Sequence, residues 1–245
     1  MRFWIWTFNY SASAGVRATH RLQYLLIQAG YEALIVNDYE FEKQPRRRHQ
    51  QLEDDDIAIY PDVCPGNPLN AKHVVRWLMN DPKEWGLSGI FPATDLRYAF
   101  NTYHLHLSLG KRLFVNVVNP VFKNKGLKRD INALWQGKSD IPPFDKWPGV
   151  PLTIITYNYP GTPGKLADLL NRVEVFYTCD ESMMNLEAYL CGCKVKKLEL
   201  DGTISDLEIE TEDYHRIEHE TVGRFLDDIN EYMGYNSCPV CGRDH

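Results

Sequence analysis

No stretch of this 245-residue chain stays apolar for the roughly 18–20 residues that a membrane-spanning helix requires. The opening MRFWIWTFNY is apolar but short, with one basic residue and no small-residue cleavage site. It reads as a buried strand and not as a secretory signal. Positive charge is not in excess. Lys and Arg number 27 against 33 Asp and Glu, a formal net charge of -6, so a whole-surface attraction to nucleic acid or an anionic membrane is not expected. One local basic run, Arg46–Arg48 in QPRRRHQQ, reads as a solvated loop. The three-glycine dinucleotide fingerprint is missing, as are internal repeats and low-complexity segments. Cysteines number six; in a chain that is not small and shows no secretion signal, they predict reduced thiols in a cytoplasmic protein.

What is present is an ordinary globular composition, 44% hydrophobic and 24% charged. Short apolar runs alternate with amphipathic segments. Phe3–Phe8, Glu32–Val36, Ile57–Tyr60, Gly89–Phe91 and Arg112–Val117 predict strands in the first half; Leu152–Thr156, Val173–Tyr177 and Val195–Leu198 do so in the second. Helices are predicted over Val16–Ala29, closed by Gly30, and after Pro68, where Ala71, Val74, Val75 and Leu78 share a face. Further helices follow Thr162-Pro163, run over Ser182–Leu190 and span Glu212–Met233. This alternation predicts an α/β fold of parallel strands with helical crossovers, arranged as two small Rossmann-like lobes facing a cleft. A Pro-, Gly- and Lys-rich stretch from Asn119 to Val150 puts the division near Asn119-Pro120. The expected domains are 1–118, 119–211, and a C-terminal helix and tail over 212–245, with the helix strapping the lobes.

In open parallel sheets ligands bind at the carboxyl ends of strands. Two strand-to-helix turns therefore stand out. Asn9–Gly15 carries small residues that admit a ligand to the backbone and to the free N–H groups of a helix start. Cys179–Ser182 holds the matching place in the second half, where Asp180 and Glu181 also suit a helix cap. Glu187 lies two turns into the following helix among apolar residues; it is either exposed or, if buried, in need of a partner such as a ribose diol.

The stretch YPGTPGKLADLLNRVEVFYTCDESMMNLEAYLCGCKV resembles the nucleotide-sugar-binding lobe of GT-B-type retaining glycosyltransferases, the group that includes sucrose and trehalose-phosphate synthases. IAIYPDVCPGNPLNAKHVVRWLMN and NYSASAGVRATHRLQYLLIQAGYEALI resemble first-lobe segments of compact bacterial and viral members, so the likeness runs over roughly residues 3 to 200. The resemblance implies a GT-B-like fold, with the first lobe on the acceptor side, and an enzyme that moves a sugar from a nucleotide-sugar donor to an acceptor hydroxyl with retention. It implies that Glu187 bonds the donor ribose, that backbone N–H groups near Glu181 and Ser182 face the diphosphate, and that Arg129 and Lys138 clasp the phosphates. Gly15 would lie beside the reacting groups, and Asn67 would either face them or shape a turn. Three features depart from the family pattern. Cys179 stands where an acidic residue is usual, Lys194 replaces a common proline, and the chain is short for two full lobes.

Retaining transfer in which the leaving phosphate assists the incoming hydroxyl requires no protein nucleophile, unlike paired-carboxylate hydrolases. His104 and His106 are the first-lobe candidates for a catalytic role, against a structural reading of that pair. EDDD, Glu53–Asp56, has an Asp-x-Asp spacing but precedes its strand, and reads as a solvated loop entry; no metal or other cofactor is required for transfer. The tail CPVCGRDH has the spacing of half a zinc ribbon. Cys238, Cys241 and His245 are candidate ligands of a structural zinc that would need a fourth from Cys64, the Cys191–Cys193 pair or another subunit. The acceptor stays open between a glycan, a lipid-linked glycan and a hydroxymethylated DNA base. The alternative is a non-catalytic binding or scaffold module built on the same fold.

Overall fold

The computed structural model describes residues 1–8, 13–37, 52–86, 91–137, 140–180, 182–209, 211 and 213–235. The chain forms two compact units, one from Met1–Val117 with Glu212–His245, the other from Val118–Thr211. Each is an α/β unit built on one mostly parallel sheet.

The first sheet comprises β1 (Arg2–Thr7), β2 (Glu32–Asn37), β3 (Ile57–Pro61), β4 (His73–Leu78) and β5 (Leu96–Ala99), all parallel, in the order β2-β1-β3-β4-β5. Strands buried on both faces read as unbroken apolar runs, and β1, β3 and β4 are buried along almost their whole lengths. Trp4, Trp6, Ala58 and Tyr60 pack together on one face. Phe3 meets Tyr31 and Phe225, and Phe225 meets Tyr98 edge-on at 5.0 Å. Helix α1 (Ala14–Gln28) starts where the Ser13 hydroxyl accepts from the Val16 amide at 3.3 Å, and it buries Val16, Ala18, Leu22 and Leu26.

The helix predicted after Pro68 is instead β4. HVVRWL is apolar apart from His73 and Arg76, and in such a run a three-four spacing arises without a helix. Its Val74, Val75 and Trp77 favour the pleated conformation. Arg112–Val117, predicted as a strand, is extended but joins the sheet only by a bridge from Arg112 to Ala99. Its Phe114 backbone is satisfied by a helix side chain: Phe114 N–H donates to Thr221 Oγ1 at 3.1 Å, and that hydroxyl lies 3.0 Å from the Phe114 carbonyl. The predicted strand Gly89–Phe91 falls mostly outside the described residues.

The last described helix (Tyr214–Tyr232, here α4) belongs to the first unit and is not a separate segment. Glu218, 1% exposed, takes a two-pronged bond from Arg21 of α1 at 2.9 and 2.5 Å, plus the Asn116 amide at 2.7 Å. Tyr98 donates to Asp228, which also pairs with Lys111 at 2.8 Å.

Several charged side chains are buried in this unit against partners of opposite charge. Arg76, fully buried, donates to Asp95 at 2.7 Å and to the carbonyls of Cys64 and Gly66, with its guanidinium over the rings of Tyr60 and Phe91. The EDDD segment is not merely a solvated loop entry, because its last residue is an anchor. Asp56 receives Arg2 Nη2 at 2.6 Å, Trp4 Nε1 at 3.1 Å and the Glu53 amide at 2.8 Å. Burial pushes the Asp56 carboxyl upward. The donors from Arg2, Glu53 and Trp4 together outweigh that and hold it below the ordinary carboxylate range.

The second sheet comprises β6 (Ile131–Trp135), β7 (Leu152–Ile155), β8 (Val173–Thr178), β9 (Lys194–Leu198) and β10 (Ile204–Asp206), in the order β10-β9-β8-β6-β7, with only β10 antiparallel. Strand β6, its central element, lies inside the stretch read as a linker; INALW is too short to stand out among the prolines and lysines around it. Helices α2 (Pro163–Leu170) and α3 (Met183–Leu190) make the crossovers from β7 to β8 and from β8 to β9. The Thr162 hydroxyl caps α2 through the Lys165 amide. Ala133, Trp135, Ile155, Leu166, Leu170, Phe176 and Val195 are among the core residues of this unit.

Two expectations follow. Asp95→Ala leaves a fully buried guanidinium without its counter-charge, a change of the kind that costs about 3–5 kcal/mol. Urea denaturation will show a lower midpoint at unchanged m. Asp56, with its depressed pKa, contributes stability that is present above about pH 4 and lost as pH falls through its folded value. The stability gap between the native protein and Asp56→Asn will therefore be largest near neutrality and will shrink below about pH 4.

Candidate functional site

The two sheets share one feature that matters for ligands. In each, the first strand in sequence is flanked by the second on one side and the third on the other: β2-β1-β3 and β7-β6-β8. Chain connections diverge at that point, which leaves room outside the carboxyl ends of the strands.

In the second unit the point lies between β6 and β8, and polar groups collect there. β6 ends at Trp135, followed by Gln136 and Gly137; β8 ends at Thr178, followed by Cys179 and Asp180. Gly137 allows the two turns to touch. A Cβ on it would overlap the Asp180 carboxylate and come within 2.8 Å of Trp135 Nε1. Asp180 is held in place by Thr178, whose hydroxyl lies 3.0 Å from the Asp180 carbonyl and 3.3 Å from its Oδ1. Asn185, in the first turn of α3, donates through Nδ2 to the Asp180 carbonyl at 2.8 Å. Tyr157, just past β7, stands edge-on to the Trp135 indole at 5.0 Å and is 60% exposed. Burial and the Asp180 charge push its phenol pKa up.

Three polar atoms in this group are buried and have no protein partner: Trp135 Nε1, Ser182 Oγ and Asn185 Oδ1. Trp135 and Asn185 are 3% and 4% exposed. Ser182 sits at the cap of α3 but makes no capping bond with its side chain. Buried polar groups are nearly always satisfied. The three orphans all belong to residues at the carboxyl edge of this sheet and offer a ligand one N–H donor, one carbonyl acceptor and one hydroxyl able to do both. Glu187 lies farther along the same helix and is buried, 4% exposed, so the exposed reading of this residue is corrected.

Sequence reasoning found Ser182, Glu187 and the turn at Asp180, but missed Trp135, Gly137 and Asn185. The available signals were a glycine two residues past a buried strand and an asparagine three residues after a helix cap.

Arg129 is not with this group. It precedes β6 and therefore stands at the amino edge of the sheet. Its Nη1 donates to the carbonyls of Val173 at 2.6 Å and Leu170 at 3.3 Å, and its Nη2 donates to that of Cys191 at 2.6 Å. The expected phosphate contact is thus corrected to a structural one: the guanidinium satisfies carbonyls where α2 and α3 end. Gly192, at φ 88°, is required beside it, because a side chain there would overlap Arg129. Lys138 and Glu181, the other expected donor contacts, lie outside the described residues.

In the first unit the corresponding edge is more self-satisfied. Gly15, in the first turn of α1, brings the helix close to β4; a Cβ there would sit 3.3 Å from Met79 Sδ. Asp62, 1% exposed at the end of β3, accepts from the Met79 amide at 2.8 Å and from Asn80 Nδ2 at 3.1 Å. Burial outweighs these bonds and raises its pKa. Asn67 shapes a turn: its Oδ1 accepts from Tyr60 and from the Ala71 amide, and its Nδ2 donates to the Ala71 carbonyl. His104 follows β5 at the start of a 3-10 turn; its Nδ1 is buried without a partner. His106 is exposed, with Nδ1 at 3.1 Å from the Tyr103 carbonyl. No interaction joins Gly15 to His104 among the described residues.

The zinc candidates Cys238, Cys241 and His245, and the basic run Arg46–Arg48, lie outside the described residues. Among the described residues no group of three or more His, Cys, Asp or Glu side chains is placed to hold a metal, and no helix is long and apolar enough to cross a membrane. Cys64, Cys191 and Cys193, the candidates for a fourth ligand, are buried in the cores of their units. Burial pushes the Cys191 thiol up to about 11 and Cys193 to about 12. Comparison with protein-family models, with curated proteins and with solved structures found no match to this chain.

The thiol environments give a direct check. At pH 8 a maleimide will leave Cys64, Cys191 and Cys193 unmodified in the folded protein and will label all three in urea, as read by peptide mass mapping.

Proposed function

We propose that this chain is a GT-B-type glycosyltransferase whose second unit binds a nucleotide-activated sugar. The observation that carries the reading is the convergence of unpartnered Trp135 Nε1, Ser182 Oγ and Asn185 Oδ1 where the strand order of that unit's sheet reverses, on the turn that opens the helix bearing buried Glu187. Such an edge is where doubly wound sheets take nucleotides. The order of segments in the sequence agrees with that reading.

In this reading Ser182 and Asn185 hold donor hydroxyls and Glu187 takes the ribose diol. Tyr157 offers an exposed ring face at the rim. The first unit takes the acceptor, with Gly15 at the start of α1 and His104 Nδ1 able to orient the acceptor hydroxyl. Transfer proceeds with retention. The bond between the sugar anomeric carbon and the phosphate oxygen breaks, and the departing phosphate accepts the proton of the acceptor hydroxyl. That oxygen bonds the same face of the sugar. A glycan, a lipid-linked glycan and a hydroxymethylated DNA base are all acceptors with such a hydroxyl. A base in a duplex must first be flipped out.

The test is thermal stability of the purified protein against UDP-, GDP-, ADP- and CMP-sugars. A donor at 100 times its dissociation constant adds about 2.7 kcal/mol and raises the melting temperature measurably. One nucleotide class will do so, and Glu187→Gln and Lys138→Glu will abolish the rise. Absence of any rise from folded protein overturns the reading.

A further inference from the structure

We infer that the loop Lys123–Lys128, at the amino edge of the second unit's sheet, docks on an anionic lipid bilayer: Leu127 enters the interface, and the lysines beside it meet the headgroup charge. This goes beyond the proposed transfer and does not rest on it.

The segment KNKGLKR carries four cations in seven residues. Arg129 is occupied by carbonyls of its own unit. Lys125 pairs with Asp168 at 2.6 Å. Lys123 and Lys128 are exposed and form no ion pair among the described residues. Two more cations stand at the same edge, Arg172 before β8 and Lys194 at the start of β9, in exposed pairs with Asp130 and Glu174. Each of those carboxylates cancels its own partner, so Lys123 and Lys128 remain as the net charge of the edge. The whole chain has a formal charge of -6, so this excess is local and opposite in sign to the molecule that carries it.

The loop is anchored. Asn171, fully buried just past α2, accepts the Lys125 amide at 2.6 Å and donates to the Lys123 carbonyl at 3.0 Å. Asn124 Oδ1 accepts the Gly126 amide at 2.9 Å, and Gly126, at φ 67°, turns the chain. Leu127 follows that turn with Lys128 beside it and is 49% exposed. The backbone on both sides of the leucine is thus fixed while its side chain stays half in water.

Phosphate groups of lipid or of nucleic acid would both attract Lys123 and Lys128. The neighbours of these lysines favour lipid. Nucleic-acid contacts add arginine forks or aromatic stacking. Here the one arginine is turned to the unit's own carbonyls, and residues 123–130 contain no aromatic side chain. An apolar side chain gains by entering the boundary between headgroups and acyl chains, and adjacent basic residues add attraction to anionic lipid. Docking through this loop leaves the carboxyl edge, at the other end of the same strands, free for a ligand.

The experiment is co-sedimentation of the full chain with vesicles of phosphatidylcholine alone and of phosphatidylcholine with phosphatidylserine, at low and at high salt, beside titration of a fluorescent DNA duplex. Binding is expected to the phosphatidylserine vesicles only, and to weaken as salt rises. Lys123→Glu combined with Lys128→Glu will abolish it, and Leu127→Ser will lower the partition coefficient about tenfold. Lys165→Glu, a reversal at an exposed lysine in the first turn of α2, will leave it unchanged. All these positions are exposed, so the variants will keep the native melting temperature.

Binding to neither vesicle overturns the inference, and so does equal binding to both. It falls as well if Leu127→Ser binds as the native protein does, or if Lys165→Glu loses as much as the loop variants. If the duplex is bound through Lys123 and Lys128 while the vesicles are not, the loop is a nucleic-acid contact and the bilayer assignment is wrong.

Discussion

The architecture of both units depends on parallel strand pairing. Parallel neighbours cannot be joined by a tight turn, so each return between them passes over a face of the sheet, and all the parallel strands deliver their carboxyl ends to the same edge. Once β6 lies between β7 and β8, its carboxyl end and that of β8 face a gap that no crossover covers. The positions of Trp135, Gly137, Asp180, Ser182 and Asn185 follow from that one constraint. The same pairing makes the central strands apolar on both sides, which is why β1, β3 and β4 carry so few polar residues.

The two edges of the second sheet are treated differently. At the amino edge, helix ends leave carbonyls exposed, and Arg129 answers two of them, together with the Val173 carbonyl of β8, while Gly192 gives it room. At the carboxyl edge the helix start and strand ends keep polar atoms without partners. A satisfied edge stabilises the unit, whereas an edge with buried orphan atoms lowers stability until something binds it. This asymmetry separates the structural arginine from the binding residues. In the first unit the corresponding carboxylate, Asp62, already has its donors from the β4 end, and that edge holds itself together.

Much of the secondary structure was legible in the residues. Thr162 and Gly30 mark helix boundaries through capping chemistry that is local in sequence. Where the reading went astray, the deciding interaction was remote. HVVRWL became a strand because it fills a slot between β3 and β5. INALW became the centre of a sheet although its flanks resemble a linker. Arg112–Val117 stayed outside the ladder because Thr221, over a hundred residues later, answers the Phe114 backbone. For the site, the turn and the helix beginning at Ser182 were visible, but the partners that complete it were not. Nothing in the sequence near Gly137 announces that it touches Asp180, since the contact exists only when β6 and β8 are neighbours.

The sequence by itself determined the α/β class, the division near residue 118, the helix starts and the turn at Asp180. These are set by periodicity, composition and capping, all of which act within a few residues. Tertiary structure alone decided which polar groups find partners within the protein and which do not. Arg129 and Ser182 are both plausible phosphate contacts when read in isolation. Only strand order places one at the amino edge among helix carbonyls, and the other at the carboxyl edge with its hydroxyl unanswered. The physical reason is that a polar group's role depends on whether its hydrogen bonds are already satisfied, and here long-range packing supplies the partners.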